Sequence, residues 1–305
     1  MDIPLYNARK LYLMVFKKNN MQVVNVPFNY IITIHNKQNL IRNVILGIIN
    51  SAGPDSNIYP VLDGCTDQSE QIIDTLINEY PEVKITKLYA MDVHELKSIN
   101  IGLNAANQTG EGYNIILQDD VILQDAELEQ KCTFLYTVFD NLGVVSFRHG
   151  ANLARNALYD QSNDLPFTSY IQSECGHYPE EKQIMKLGTF TCKEIAIKSP
   201  ICIPSRVIRD IGPPDEVYAP WDDIAYCYKV SNAGYTNGVF AIKFISDVDW
   251  GTTRIKKQAI EPGEVMAKNI ATFRFYHPNI PDLDEKKYNN KLYQLFADQS
   301  TDSIA

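Results

Sequence analysis

Two adjacent carboxylates, Asp119 and Asp120, follow the apolar run at residues 113–117. Carboxylates at the end of a buried strand cost free energy unless they bind a cation or accept hydrogen bonds. A hard divalent cation such as Mg²⁺ or Mn²⁺ takes one or two protein carboxylates and completes its shell with phosphate oxygens. The pair is therefore a candidate cation site. The alternative is a helix N-cap, because Asp is common where a strand turns into a helix.

A second polar turn runs from Asp63 to Asp67, after another apolar run. Gly64 allows a tight turn close to a ligand. The carboxylate of Asp63 can accept a hydrogen bond from an imide N–H, which uracil and thymine rings offer. Asp67, with Glu70 three residues further on, is typical of a helix start. This turn is therefore a candidate for contact with a nucleobase.

The elements that must position these turns alternate regularly. Strand-like apolar runs at 28–34, 58–62, 83–88 and 113–117 are separated by helical apolar spacing at 38–50, 67–80 and 96–106. This order predicts an α/β fold whose mostly parallel sheet carries helices on both faces. Such sheets bind ligands at the carboxyl ends of their strands, where both polar turns fall.

The second half of the chain is less regular. We predict strands at 144–147, 195–203 (broken by Pro200) and 239–245, and helices at 222–232 and 287–296. The polar stretch at 150–190 is expected to be a long loop or insertion, often a lid. The 305 residues fit a single domain with halves at about 25–125 and 126–250 and a C-terminal helical extension at about 251–305.

Charge and composition exclude several classes of function. The formal net charge of −9 argues against a nucleic-acid binder and against broad attraction to an anionic membrane. No apolar run is long enough to span a bilayer, and the run at 11–16 predicts an amphipathic surface helix. The six cysteines have no close metal-type spacing, so a reducing cytoplasm is expected.

Taken together, four polar segments resemble the nucleotide-sugar half of family 2 glycosyltransferases, which have the GT-A fold with its Rossmann-like central sheet. These segments are 33–36, 63–67, 97–102 and 119–120. Downstream, 203–216 and 221–235 are similar to the family's acceptor-side segment, in which a Glu-Asp motif lies on a helix closed by Ala-Gly-Tyr. The resemblance covers about residues 28–235.

The resemblance implies inverting transfer of a sugar from a nucleotide-diphosphate sugar to a hydroxyl of a glycan or lipid-linked acceptor. A UDP-sugar is favoured, Mn²⁺ or Mg²⁺ is the expected cofactor, and glycan assembly in the cytoplasm or at the inner face of the membrane is the expected setting. An acidic protein that binds a polyanionic diphosphate needs a bridging cation, which supports the same expectation. The oligomeric state stays open.

The resemblance also assigns residues. Gln118 stands at the family's first metal-motif Asp, so Asp120 becomes the expected metal ligand. Asp223 is the expected general base, with Asp222 as its rival and helix capping as the alternative for both. Trp221 is expected on the acceptor side. The expected donor-binding residues are Thr33, His35, Asn36, Asp63, Lys97, Asn100 and Asp119. Structural roles remain alternatives for His35, Lys97 and Trp221.

Two other functions compete with this one. A non-catalytic sugar-nucleotide or glycan-binding module of the same fold is supported by Gln118 and opposed by Asp222 and Asp223. A nucleotidyltransferase would carry a Gly-rich, basic phosphate loop after the first strand. Residues 35–39 contain no glycine, so this second alternative ranks below the first.

Overall fold

A computed structural model describes residues 26–107, 110, 112–147, 190–192, 196, 199–215 and 221–246. At 107, 191–192, 221–225 and 228 it describes the backbone alone. The long loop or insertion predicted at 150–190 lies almost wholly outside these residues. The helices predicted at 11–16 and 287–296 and the C-terminal extension expected at about 251–305 lie outside them.

The first half contains the predicted alternation of strands and helices. The strands are β1 (Phe28–Ile34), β2 (Asn57–Asp63), β3 (Lys84–Ile85), β4 (Leu88–Ala90) and β5 (Tyr113–Gln118). The helices are α1 (Ile41–Ser51), α2 (Ser69–Glu79) and α3 (Glu95–Asn107). The single strand predicted at 83–88 is wrong, because β3 and β4 pair separately with β2. The break lies opposite Pro60, which has no amide N–H to donate.

The second half contains shorter elements. They are β6 (Ile122–Leu123), α4 (Leu128–Val138), β7 (Leu142–Ser146), β8 (Phe190–Cys192), β9 (Ile201–Pro204), α5 (Ser205–Ile211), α6 (Trp221–Asn232), β10 (Thr236–Phe240) and β11 (Phe244–Ile245). The prediction of one strand at 239–245 is wrong. After β10 the chain leaves the large sheet, and β11 pairs instead with β6. Strand β9 begins only after Pro200, and part of the segment predicted before it lies outside the described residues.

One large mixed sheet organises these elements, in the order β3-β2-β1-β5-β9-β7-β10-β8, with β4 also on β2. Strands β1, β2, β3, β4 and β5 run parallel to one another, and so do β7 and β10. Strands β8 and β9 run antiparallel to their neighbours. The predicted α/β class with a mostly parallel central sheet is confirmed.

Apolar side chains fill both faces of this sheet. Every residue of β1 is buried, as expected for a parallel strand covered on both sides. On one face the sheet packs against α1, α2 and α4. On the other it packs against α3, α5 and α6. We refer to the second face as the α3/α6 face. Among the described residues, no helix is both long and apolar enough to cross a bilayer.

Candidate functional site

The turns singled out from the sequence meet at one edge of the sheet. Strand β1 lies between β2 and β5 and runs parallel to both. At its end Thr33 pairs with Val61 on one side and with Gln118 on the other, and Thr33 itself is buried in the ladder. The turns at 35–37, 63–67 and 119–120 therefore lie side by side at the carboxyl edge, where open α/β sheets bind ligands.

Asp119 is held at this edge by the turn after β1. The backbone N–H of His35 donates to Asp119 Oδ2 at 2.9 Å. The Nζ of Lys37 lies 3.4 Å from Asp119 Oδ1, and the two side chains are only 9% and 14% exposed. The carboxylate is thus fixed by a hydrogen bond and a shielded ion pair that together link the ends of β1 and β5.

The surroundings of Asp119 act on its pKa in opposite directions. Burial raises the pKa of Asp119 to about 7, while the Lys37 ammonium and the His35 N–H act to lower it. The neighbouring carboxylate of Asp120 contributes to this raised pKa, because two like charges disfavour ionisation. Without a cation, Asp119 is therefore close to half-protonated near neutral pH.

Asp120 presents an unsatisfied oxygen. Its Oδ1 is buried, and within the described residues it has no hydrogen-bond partner. The chain continues from Asp120 into the short strand β6, so this aspartate does not cap a helix. A buried carboxylate oxygen without a donor costs free energy, which a bound cation would offset. Asp120 therefore fits a hard divalent cation, although the described residues contain no cluster of three or more His, Cys, Asp or Glu side chains.

His35 and Asn36 tie the turn after β1 to the turn after β2. The ring Nδ1 of His35 lies 2.7 Å from the carbonyl oxygen of Asp63. Asn36 adopts a left-handed conformation (φ 53°), and its Oδ1 accepts from the backbone N–H of Thr66 at 2.7 Å. Both side chains stabilise the contact between the two turns, and their binding to the nucleotide-sugar donor stays a prediction.

Asp63 anchors the loop that follows β4. It is 2% exposed, and its Oδ1 accepts from the backbone N–H of Val93 at 2.7 Å. Gly64 is required beside it, because φ is 62° and a Cβ would lie 2.8 Å from the Cβ of Asp92. Contact between Asp63 and a nucleobase stays a prediction. Asp67 lies one residue before the N-cap Gln68, and it accepts from the backbone N–H of Ser69, the first residue of α2.

Helix α3 joins the two halves of the chain. The Nδ2 of Asn100 donates to the carbonyl oxygen of Pro214 at 3.0 Å. Its Oδ1 is buried, and the described part of the chain supplies no partner for it. Lys97 is exposed on the same helix. Asn100 thus fixes the segment that leads towards α6.

Helix α6 carries the predicted acceptor-side residues in its first turn: Trp221, Asp222 and Asp223. Their side chains lie outside the described residues, so their roles stay predictions. The later part of the helix is well anchored. The Nζ of Lys229 lies 3.0 Å from Asp215 Oδ1, and the hydroxyl of Tyr226 donates to the carbonyl oxygen of Gly212.

Sequence reasoning missed two charged residues at this edge. Lys37 lies in the glycine-free turn after β1, and its side chain forms an ion pair with Asp119. Glu95 accepts a hydrogen bond from Gln118 at 2.7 Å. A signal for Lys37 existed, since it follows the mainly apolar strand β1 by three residues. None existed for Glu95, because its contact depends on how α3 crosses the sheet.

Comparison with known protein families shows the family of this chain. Residues 30–193 match the family described as Glycosyl transferase family 2, which is more than half of the 305 residues. The chain belongs to this family. It is a glycosyltransferase, as the resemblance implied, and its mixed α/β sheet is the expected GT-A type. No curated protein matches the chain significantly.

The chain is also similar to several solved structures. A mannosyltransferase from Pyrobaculum calidifontis, PcManGT, in complex with GDP-Man and Mn²⁺, is 13% identical, with a TM-score of 0.49 and coverage of 98% of this chain and 89% of its own. The S. aureus TarS fragment 1–349 is 14% identical, with a TM-score of 0.48 and coverage of 83% and 74%. The same fragment with UDP is 15% identical, with a TM-score of 0.47 and the same coverage.

Proposed function

We propose that this family 2 glycosyltransferase inverts the anomeric centre of a nucleotide-diphosphate sugar, preferably a UDP-sugar, while transferring it to a hydroxyl of a glycan or lipid-linked acceptor. The observation that carries the proposal is the buried Oδ1 of Asp120, for which the described part of the chain supplies no hydrogen-bond partner, next to the anchored carboxylate of Asp119. A family member with this pair at its strand edge needs a cation to accept a diphosphate there.

The donor would lie across the ends of β1, β2 and β5. Asp63 would face the base, Asp119 the ribose and Lys97 the diphosphate, with Thr33, His35, Asn36 and Asn100 shaping the pocket. Mn²⁺ or Mg²⁺ on Asp120, when bound, would supply positive charge to the leaving diphosphate. The fixed Lys37–Asp119 contact keeps these groups in place before the donor arrives.

The transfer step follows from this arrangement. Asp223 removes the proton of the acceptor hydroxyl, whose oxygen forms a bond to the anomeric carbon from the face opposite the diphosphate. The bond from that carbon to the diphosphate oxygen breaks, and the diphosphate leaves with its electron pair. Asp222 is the rival base, and Trp221 would support the acceptor. In support, α6 packs on the face that carries α3, and Asn100 links α3 to the segment before it.

The test is release of nucleoside diphosphate from UDP-, GDP- and dTDP-sugars, with and without Mn²⁺, in the presence of glycan and lipid-linked acceptors. We expect cation-dependent release, greatest with a UDP-sugar. Asp223→Asn should abolish turnover, whereas Asp222→Asn should retain it. Glu79→Gln, which changes an exposed carboxylate paired with Arg42, is the matched control. Near-normal turnover by Asp223→Asn would contradict the assignment of the base.

The second candidate is a non-catalytic sugar-nucleotide or glycan-binding module. The amide of Gln118 at the family's metal motif favours it, because that position supplies no anionic ligand. This candidate predicts ordinary nucleotide binding with no release from any donor and acceptor pair. Cation-dependent release would exclude it.

A further inference from the structure

The side chains of a glutamate and a glutamine form a hydrogen bond next to the carboxylates of Asp119 and Asp120. The Nε2 of Gln118 donates to Glu95 Oε1 at 2.7 Å, which joins the end of β5 to the first turn of α3. The backbone N–H of Gln118 also donates to the hydroxyl of Ser199 at 2.8 Å. Gln118 is thus held from two sides. Position 118 carries an amide where the family's motif has a carboxylate, and the carboxylate of Glu95 on α3 lies directly beside that amide.

The Glu95–Gln118 pair faces the acceptor side of the sheet. Ile116, two residues before Gln118, belongs to the same buried cluster as Ile99 of α3 and Cys227 of α6. Side chains alternate along a strand, so Gln118 lies on the same α3/α6 face as Ile116. This face also carries α6, whose first turn contains Asp222 and Asp223. The pair therefore lies on the same face of the sheet as the helix that carries the proposed general base, where the donor sugar would meet the acceptor hydroxyl.

The chemistry of the pair suits a sugar. Both side chains are partly exposed, so a ligand at the carboxyl edge can reach them. A carboxylate accepts hydrogen bonds from hydroxyl groups, and a neighbouring amide can donate and accept. The dipole of α3 favours an acid in its first turn, but it does not direct that acid towards the amide of Gln118.

We propose that Glu95 is a specificity-determining residue that accepts hydrogen bonds from hydroxyl groups of the donor sugar, with Gln118 holding its carboxylate in position. This inference rests on the proposed function, since it names a contact of the same donor. Glu95 acts on the sugar and leaves recognition of the nucleoside diphosphate to the residues around Asp63 and Asp120.

Calorimetric titration in the presence of Mn²⁺ separates recognition of the sugar from recognition of the nucleoside diphosphate. The dissociation constants of UDP, UDP-glucose, UDP-N-acetylglucosamine, GDP and GDP-mannose are measured for the wild-type chain, Glu95→Gln and the control Glu79→Gln. We expect Glu95→Gln to weaken the best-bound nucleotide sugar by about tenfold, the value of one charge-assisted hydrogen bond, and to change the matching free diphosphate by less than about twofold. Equal effects on both ligands, or no effect on either, would overturn the inference.

An exchanged pair tests whether the position of the charge matters. In the double variant Glu95→Gln with Gln118→Glu, a hydrogen bond can still join the two side chains, but the carboxylate moves to the strand. We expect the wild-type melting temperature to be retained and the wild-type sugar preference to be lost. Recovery of the sugar preference would show that the pair is only structural and would overturn the inference.

The same titrations show whether the role of Glu95 alone is wrong or the proposed function as well. If the wild-type chain binds none of the nucleotides, the proposed function fails and the inference fails with it. If it binds them and Glu95→Gln has unchanged sugar affinity, the inference alone fails.

Discussion

The two ends of β1 both carry buried polar side chains, but they use them differently. At the amino end, Asn57, Asn29 and Asn114 lie in register on β2, β1 and β5. Each donates to the next acceptor in the row: Asn57 to Asn29 and Asn29 to Asn114, both at 3.2 Å, and Asn114 to the carbonyl oxygen of Ile203 at 3.1 Å. This end forms a closed network of neutral groups.

The carboxyl end is not closed. Asp120 Oδ1 has no partner among the described residues, and burial with a neighbouring like charge raises the pKa of Asp119 to about 7. Asn36, Asp92 and His94, none of them glycine, adopt positive φ at this end. Strained backbone of this kind persists only where the surrounding structure holds it, and it clusters at ligand-binding sites. An unsatisfied buried oxygen and a raised carboxyl pKa thus distinguish the candidate site at the carboxyl end from the amino end, where the buried polar groups are paired.

The largest expected effect comes from changing the carboxyl end at Asp120. Asp120→Asn should lower cation-dependent turnover at least about 100-fold, or about 2.7 kcal/mol in transition-state stabilisation, because the cation loses its anionic ligand. The stability of the metal-free protein should stay the same or rise, since the like charge next to Asp119 is gone. Turnover and urea unfolding are measured on the same preparation. Loss of stability together with activity would indicate a structural role for Asp120.

The opposite pattern is expected at the amino end. Asn114→Ala leaves Asn29 Nδ2 without its acceptor and should lower the free energy of unfolding by about 2 kcal/mol. The dissociation constant for UDP with Mn²⁺ should stay within about twofold of the wild-type value. Urea unfolding and calorimetry measure the two quantities. A large change in UDP affinity with unchanged stability would remove the contrast between the two ends.

A smaller effect is expected in the pH dependence of stability. The pKa of Asp119 is raised on folding, so the folded state binds a proton that the unfolded state lacks between about pH 4 and 7. Asp119 therefore contributes most stability below about pH 4, and this contribution is lost as the pH rises to about 7. The melting temperature of the metal-free wild-type protein, relative to Asp119→Asn, should fall over this range and level off above it.

Lys37→Met sharpens that measurement. The ammonium of Lys37 acts to lower the pKa of Asp119, so its removal should move the levelling point to a higher pH. An unmoved levelling point would show that the contact between Lys37 and Asp119 is too weak to matter in solution. A wild-type curve parallel to that of Asp119→Asn would contradict the raised pKa itself.

Much of this edge could be predicted from the sequence. The alternating apolar runs through residue 117 predicted β1, β2 and β5 and their helices, because these parallel strands are buried on both faces. The turns after them followed from chain order alone. Helix α4 was not predicted, although its buried residues Leu128, Cys132, Leu135 and Tyr136 have helical spacing. The run is broken by polar residues, which weakened the signal.

The remaining features depend on contacts between distant parts of the chain. The hydrogen bond from His35 to Asp119 joins residues 84 positions apart, and the antiparallel insertion of β9 between β5 and β7 brings Ser199 to Gln118. Neither contact leaves a local pattern. The same holds for the closed row of asparagines, which the sequence shows only as isolated polar residues within strands.

Electron paramagnetic resonance of Mn²⁺ in the presence of UDP tests the central claim most directly, namely that the carboxyl edge of β1, β2 and β5 holds a cation and a nucleoside diphosphate together. The account predicts one bound Mn²⁺ per wild-type chain, retained in Asp223→Asn and Asn114→Ala and lost in Asp120→Asn. Full Mn²⁺ binding by Asp120→Asn would contradict it.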